Sequence, residues 1–167
     1  RFFIDRGYWE VETPLLSHDT CVDAWIDPVV VPHPLLTGEA LYLQTSPEFA
    51  MKRLLAAGAD AIFEITRSFR RGESGPRHNL EFTIVEWYRS GDDMAAGIKL
   101  LDELCQHVAD APAAATTTYE AAFRRHANLD PHRATCSDFA AAASRFSVPI
   151  PAAIQRDNRD EWLNLLL

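Results

Sequence analysis

The chain has 167 residues, of which 47% are hydrophobic and 24% are charged, a composition typical of a globular domain with a substantial core. Its 16 basic and 24 acidic residues give a formal net charge of −8, which excludes long-range attraction to nucleic acid or to anionic lipid surfaces. No apolar run approaches the length of a membrane-spanning helix, so we expect no membrane span.

The cysteines and the chain ends give two further expectations. Cys21, Cys105 and Cys136 are odd in number, widely spaced and outside any C-x-x-C pattern. We therefore expect reduced thiols in a cytoplasmic protein, and neither disulfides nor a zinc site. The chain opens inside an apolar pattern without a methionine and stops at Leu167 without a helix stop signal, so we expect it to be part of a longer protein.

In the first 45 residues, short elements alternate with loops. Residues 1–6 resemble the last turns of a helix, with Gly7 as a left-handed cap. Residues 8–13 are rich in aromatic and branched side chains and predict a strand that Pro14 ends. Residues 17–40 are loop-rich with a possible strand at 26–31, and residues 41–45 predict a short strand.

Ser46-Pro47-Glu48 predicts the start of a helix, with Ser46 as the N-cap and Gly58 after its end. Residues 61–70 and 82–89 are the strongest strand candidates, and we expect them to pair antiparallel. The loop between them has about eleven residues, longer than the usual hairpin connection, and loops of this kind are often functional.

The last third of the chain predicts helices. Residues 94–108 show an amphipathic pattern. An Ala/Thr-rich connector follows at 109–118, and Thr117 with Glu120 predicts a capping box before a short helix. Ser137 is the expected cap of another helix, and residues 160–167 begin a last one.

Side chains of the two strong strands alternate between two faces. One face is expected to be an apolar core surface, and the other to carry Arg70, Phe82, Glu86 and Tyr88 together. Arginine can bind phosphate with two hydrogen bonds, a phenyl ring can stack on a base, and a glutamate beside a tyrosine can receive an ammonium group. The alternative is a solvated face with cross-strand ion pairs.

Four segments in this order resemble the catalytic domain of class II aminoacyl-tRNA synthetases. Gly7-Tyr8-Trp9-Glu10-Val11-Glu12-Thr13-Pro14-Leu15-Leu16 is similar to motif 1, and Phe69-Arg70 with His78-Asn79-Leu80-Glu81-Phe82 is similar to motif 2. The lysine-specific branch fits best. Leu43-Gln44-Thr45-Ser46-Pro47-Glu48 and Glu86-Trp87-Tyr88-Arg89 resemble in particular the truncated paralogues of lysyl-tRNA synthetase that modify a protein, elongation factor P.

The resemblance implies an α+β fold, with an antiparallel sheet flanked by helices. Residues 1–167 would be the N-terminal part of one catalytic domain, with motifs 1 and 2 but without motif 3. It also implies ATP and Mg²⁺ as cofactors, with the Mg²⁺ ligands after Leu167, and a homodimer formed through motif 1. The implied substrates are lysine or (R)-β-lysine and elongation factor P, with tRNA not expected as a partner. Residues 1–167 alone are expected to be inactive.

The resemblance also assigns roles to residues. Arg70 is the implied catalytic residue, at the α-phosphate of ATP, with His78 near the outer phosphates, Asn79 near the adenine and Phe82 stacked on it. Glu48 would lie near the backbone-type amine, and Glu86 and Tyr88 would receive the side-chain ammonium. The full implied sets are Arg70, Arg71, Gly72, Glu73, His78, Asn79 and Phe82 for ATP, and Ser46, Pro47, Glu48, Glu86 and Tyr88 for the amino acid.

The sequence departs from the family pattern at four positions. Gly72 stands where motif 2 has a glutamate and Glu73 follows it, so either the loop shifts by one residue or the contact is lost. Leu80 replaces a common proline, and Phe49-Ala50 replaces a Tyr-His-like pair. Two other functions stay open from the sequence: a lysyl-tRNA synthetase, and a catalytically silent paralogue that dimerises or binds a ligand.

Overall fold

The computed structural model describes residues 1–32 and 40–167, which form two compact units, Arg1–Pro112 and Ala113–Leu167. The predicted loop-rich stretch 17–40 lies partly outside the described residues, at 33–39. The helices and strands confirm the predicted α+β class. In chain order the strands are β1 Trp9–Glu10, β2 Leu16–Ser17, β3 Val29–Pro32, β4 Ala40–Leu43, β5 Ala61–Phe69 and β6 Glu81–Arg89; the α-helices are α1 Glu48–Ala56, α2 Met94–Ala109, α3 Tyr119–Ala127, α4 Cys136–Arg145 and α5 Arg159–Leu166.

The first unit begins with a single 3₁₀ turn at Ile4–Arg6 that ends as predicted at Gly7, whose φ of 80° is left-handed. The aromatic residues that precede and follow this turn, Phe2, Phe3 and Tyr8, are buried in the core. The ring of Phe3 stacks on Phe63 of β5 at 4.7 Å between centroids and lies 5.4 Å from Trp87 of β6. The core of the first unit contains the buried residues Phe2, Phe3, Tyr8, Ala61, Phe63 and Leu100.

The long strands β5 and β6 pair antiparallel from Ala61 opposite Arg89 to Phe69 opposite Glu81, as predicted. The short strand β1 pairs parallel to β5, so this sheet has the order β1-β5-β6. The strand predicted at 8–13 is therefore shorter than expected. Beyond Glu10 the chain keeps one ladder bond, from the N–H of Val11 to the carbonyl of Phe63.

A second sheet of order β2-β4-β3, antiparallel throughout, lies in the same unit. The expected strand at 26–31 corresponds to β3, and that at 41–45 corresponds to β4. Strand β2 was not predicted, because two residues carry too little alternation to be recognised.

Two helices complete the first unit, and the predicted cap of α1 is wrong. Pro47 occupies the N-cap position, while the Ser46 hydroxyl accepts from the N–H of Glu48 at 3.1 Å and donates to a residue of β6. The end is as expected, with Gly58 in a left-handed conformation after the helix. Helix α2 begins at Asp93, whose side chain accepts from the N–H of Ala96.

The second unit packs three helices around its own core, in which Phe123, Phe139 and Trp162 are almost fully buried. The predicted caps at Thr117 and Ser137 are wrong. Thr118 caps α3, and Thr135 caps α4 in a capping box with Asp138. Adjacent Thr and Ser residues offer equivalent cap patterns, and which one is used depends on where the helix packs.

We expect Thr135→Ala to lower the free energy of unfolding of the second unit by about 1 kcal/mol at neutral pH, because the cap loses its acceptor. The hydroxyl of Thr135 lowers the pKa of the Asp138 carboxyl. The part of the stabilisation that comes from the bond to the ionised Asp138 carboxylate is lost as the pH falls through the lowered pKa, whereas the bond from the Asp138 N–H to the hydroxyl remains, so the difference in stability between the variant and the unchanged chain should narrow in acid. Denaturant unfolding at neutral and acid pH measures both effects, with Thr117→Ala, which lies outside the helix, as the control.

All three cysteines are free thiols. Within residues 1–32 and 40–167, no helix has the length and hydropathy needed to cross a membrane.

Candidate active site

The antiparallel register of β5 and β6 decides which side chains share a face, because directly opposed residues point the same way. Phe82 lies opposite Ser68, Glu86 opposite Glu64, and Tyr88 opposite Ile62. The reverse face carries Phe63 opposite Trp87, which pack in the first core. The predicted separation of a polar face from a core face is therefore confirmed.

The apolar face is only partly covered within the first unit. Ile65 and Val85, the pair that follows Phe63 and Trp87, are exposed, and the Ile65 side chain is 58% accessible. The core thus extends over one end of the hairpin only. The polar face is different, because it borders the N-terminus of α1.

Glu86 is the centre of a hydrogen-bonded group on that polar face. The Ser46 hydroxyl donates to one carboxylate oxygen at 2.5 Å, and the Tyr88 hydroxyl donates to the other at 2.8 Å. The residue opposite Glu86 on β5 is the acid Glu64, so Glu86 does not form the cross-strand ion pair that the alternative interpretation of this face predicts. Burial, followed by the hydrogen bond to Glu86, raises the pKa of the Tyr88 hydroxyl far above its ordinary value, which keeps it a donor.

Helix α1 brings Glu48 to the same region. A shallow depression of about 330 Å³ is lined by Glu48, Val85, Glu86, Trp87 and Tyr88. Val85 and Trp87 belong to the reverse face of β6, so the depression lies along the edge of this strand, where two acidic residues attract a ligand with positive charge. Four of the five predicted amino-acid residues, Ser46, Glu48, Glu86 and Tyr88, are therefore brought together, whereas Pro47 is fully buried; the role of the group stays a prediction.

Arg70 lies toward the loop end of the same hairpin. Its guanidinium carbon is 5.0 Å from the centre of the Phe82 ring, and its Nε donates to the carbonyl of Thr45 at 3.5 Å. The backbone N–H of Arg70 bonds to the carbonyl of Leu80, which closes the base of the loop. A cation and an aromatic ring thus lie side by side, a pair suited to a phosphate and a planar base.

The Gly72 departure has a structural explanation. Gly72 has a φ of 82°, which glycine adopts without the strain that a side chain would bring. The next residue, Glu73, places a carboxylate oxygen 3.9 Å from Nη1 of Arg70. The two possibilities raised by the sequence, a loop shifted by one residue and a lost contact, both stay predictions.

Three other predicted ATP residues, Arg71, His78 and Asn79, lie in the exposed loop between β5 and β6. Arg71 is exposed, with its backbone N–H bonded to Asp27 and its side chain 3.9 Å from the Asp27 carboxylate. His78 closes the loop tip through backbone hydrogen bonds with Gly75, and Asn79 is exposed. Their roles stay predictions.

A buried network behind the site was not assigned from the sequence. Glu64, which is only 2% exposed, accepts from both the N–H and the hydroxyl of Thr13, each at 2.9 Å. Gln44 lies beside it, with its amide donating to the carbonyl of Arg67 at 2.8 Å. The alternation of β5 places Glu64 on the polar face, and this was the available signal. The burial of Glu64 depends on Thr13, in the segment after β1, and the alternation within β5 carries no information about that segment.

The family model of class II tRNA synthetases (D, K and N) matches residues 1–157. The chain therefore belongs to the class II tRNA synthetase family.

Similar proteins of curated function are named elongation factor P–(R)-β-lysine ligase. They include those of Pectobacterium atrosepticum, at 43% identity, Sodalis glossinidius, at 42%, and Yersinia pestis, at 43%. Each alignment covers 99% of this chain and 52% of the relative. The chain thus spans about half the length of the curated relatives that it matches.

Proposed function

We propose that this chain carries the lysine-recognition part of an ATP-dependent ligase that activates lysine or (R)-β-lysine and transfers it to a lysine side chain of elongation factor P. The relatives with that name support the proposal at 43% identity. One observation supports the binding of a lysine-type amino acid: Glu86 accepts hydrogen bonds from two hydroxyl groups and lines the same depression as Glu48.

The proposed reaction has two steps. An oxygen of the amino acid's carboxylate attacks the α-phosphorus of ATP, the bond to the bridging oxygen of the β-phosphate breaks, and pyrophosphate leaves. The ε-amine of the elongation factor's lysine then attacks the carbonyl carbon of the adenylate, AMP leaves, and the new amide nitrogen gives its proton to solvent. The first step needs no nucleophile from the protein.

The residues of this chain contribute positioning and charge. Arg70 offers donors for the developing charge at the α-phosphate, and Phe82 offers a stacking surface beside it. Glu86 with Tyr88 receives the side-chain ammonium. Hydrogen bonds that are fixed before the substrate arrives cost little reorganisation during the reaction.

Magnesium is part of the proposal only as a general requirement of the family. Within the described ranges, no group of three or more acidic, histidine or cysteine side chains is arranged to hold a metal ion. No residue of this chain is therefore assigned to Mg²⁺. A cytoplasmic location and a homodimer formed through the motif 1 region, residues 7–16, belong to the same proposal.

A lysyl-tRNA synthetase is the second candidate, because the matching family model includes the lysine-specific tRNA synthetases. Exchange of labelled pyrophosphate into ATP by the complete protein separates the possibilities, with (R)-β-lysine and α-lysine assayed in parallel. The ligase is expected to show exchange with a lysine-type amino acid and modification of elongation factor P without charging of tRNA. Charging of tRNA with lysine would favour the synthetase, and no exchange with either amino acid would indicate a silent paralogue.

A further inference from the structure

Both oxygens of the Glu48 carboxylate have a partner from this chain. The ammonium of Lys52 lies 2.5 Å from Oε1, and the thiol of Cys21 lies 3.8 Å from Oε2. The Glu48 side chain is about one-third exposed, with 35% of its surface accessible. The carboxylate is thus oriented before any ligand arrives.

The two partners reach Glu48 from different directions. Lys52 lies one turn further along α1, at the i+4 position where opposite charges meet on a helix. Cys21 belongs to the chain segment after β2, and its carbonyl accepts from the hydroxyl of the buried Thr45 at 3.3 Å. The thiol contact is long and weak, so the ammonium is the stronger of the two.

The protonation of both partners suits this arrangement. The hydrogen bond to Glu48 raises the pKa of the Lys52 ammonium, so it stays charged at neutral pH. Burial, followed by the charge of Glu48, raises the pKa of the Cys21 thiol, so it stays protonated. A carboxylate can accept about four hydrogen bonds, and two partners leave acceptor capacity for a ligand amine.

The charges explain why a cation is needed beside Glu48. Glu86 acts electrostatically on Cys21, Lys52 and Tyr88, and so does Glu48, so the two acids share one environment. Like charges that border one depression repel each other, and this repulsion would turn a free glutamate side chain toward water. Lys52 offsets this repulsion at Oε1 and leaves Glu86 free for its hydroxyl donors.

We propose that Lys52 is a positioning residue, which holds Glu48 so that its carboxylate receives the backbone-type amine of the amino acid. The inference rests on the proposed function, in which Glu48 and Glu86 bind the two amines of a lysine-type substrate. It predicts that Lys52 acts on one amine only. Ligands that differ in this amine therefore separate positioning from a general structural effect.

The test compares (R)-β-lysine and α-lysine with 6-aminohexanoate, which keeps the terminal amine and lacks the other. In the complete protein, we expect Lys52→Met to weaken binding of the lysine-type ligand by about tenfold, the scale of one oriented charge-assisted contact. Binding of 6-aminohexanoate should change by less than about twofold, because Glu86 is untouched. Lys52→Arg should restore most of the lost affinity, since it keeps the charge. Calorimetry, or competition in the pyrophosphate exchange assay, measures all three ligands.

Lys99→Met is the matched control, because Lys99 pairs with Glu103 at the same i,i+4 spacing on α2. Lys99→Met should change neither the affinity for the lysine-type ligands nor that for 6-aminohexanoate. The Lys52 side chain is 54% exposed, so the variant should fold, and thermal unfolding verifies this. An equal loss for both kinds of ligand, or no loss for either, would overturn the inference while leaving the proposed function intact. If the unchanged protein binds none of the three ligands, the proposed function fails and the inference fails with it.

Discussion

Arg70→Ala is expected to slow amino-acid-dependent pyrophosphate exchange by about 10²- to 10³-fold, the effect of removing one preorganised donor from a developing anionic charge. Arg70 has few competing partners for this role. Its carboxylate partner Glu73 is 3.9 Å away, and its contact to the Thr45 carbonyl is 3.5 Å long. Both interactions are weak enough for a phosphate to replace them. The loss should therefore appear in kcat/KM for ATP, with the fold unchanged.

The control for this change is Arg67→Ala. Arg67 lies on β5, three residues before Arg70, on the reverse face, where it donates to Thr83 and pairs with Glu81. Exchange should be unaffected in that variant. Arg70→Lys should recover only part of the rate, because an ammonium does not reproduce the planar, bidentate geometry of a guanidinium. Full exchange activity in Arg70→Ala would contradict the assigned role.

Glu86→Gln is expected to weaken binding of the lysine-type amino acid by about 10- to 150-fold, the range for losing a hydrogen bond to a charged group of 1.5–3 kcal/mol. The amide keeps nearly the same shape: one of the two hydroxyls, of Ser46 or Tyr88, can still donate to its oxygen, and the other can accept from its NH2 group. The change therefore removes charge with little change in packing. The affinity for ATP should be nearly unchanged, because Arg70 and Phe82 lie at the other end of the polar face.

Glu81→Gln serves as the comparison, since Glu81 begins the same strand and pairs with Arg67 on the surface. It should leave binding of the amino acid unchanged. The ligands of the Lys52 experiment apply here too. The loss in Glu86→Gln should extend to 6-aminohexanoate, which carries the terminal amine, whereas the loss in Lys52→Met should not. Equal affinities in Glu86→Gln and the unchanged protein would contradict the assignment of the ammonium site.

The hairpin of β5 and β6 was predictable because its information is local. Alternation over nine residues in each strand predicts the two faces, and the antiparallel register then aligns Phe82, Glu86 and Tyr88 with the core on the other side. The long loop was visible for the same reason. The grouping of Glu48 with Glu86 depended instead on resemblance to a family, since nothing in the local pattern brings α1 to β6.

The predictions that failed, and the features that were missed, depend on tertiary contacts. Ser46 reads as a helix cap in isolation, yet its hydroxyl also serves Glu86, forty residues away. The sequence shows Glu64 only as an acidic residue in a strand, and its burial becomes evident only from its hydrogen bonds with Thr13. Cys21 joins the site only because the segment after β2 meets α1 there. Apart from the i,i+4 spacing of Glu48 and Lys52 within α1, these contacts leave no periodic trace in the sequence.

The separation of the two cores gives each unit its own optical probe. Trp162 is 3% exposed in the second core, and Trp87 is partly buried against the first. Trp9 and Trp25 are largely in water, at 68% and 94% exposed. With those two replaced by phenylalanine, the blue-shifted fluorescence emission would come from one indole in each unit. Removing either remaining indole would leave a single tryptophan that reports the melting of one unit. Comparing the melting temperatures of the two single-tryptophan variants would then show whether the two units melt together.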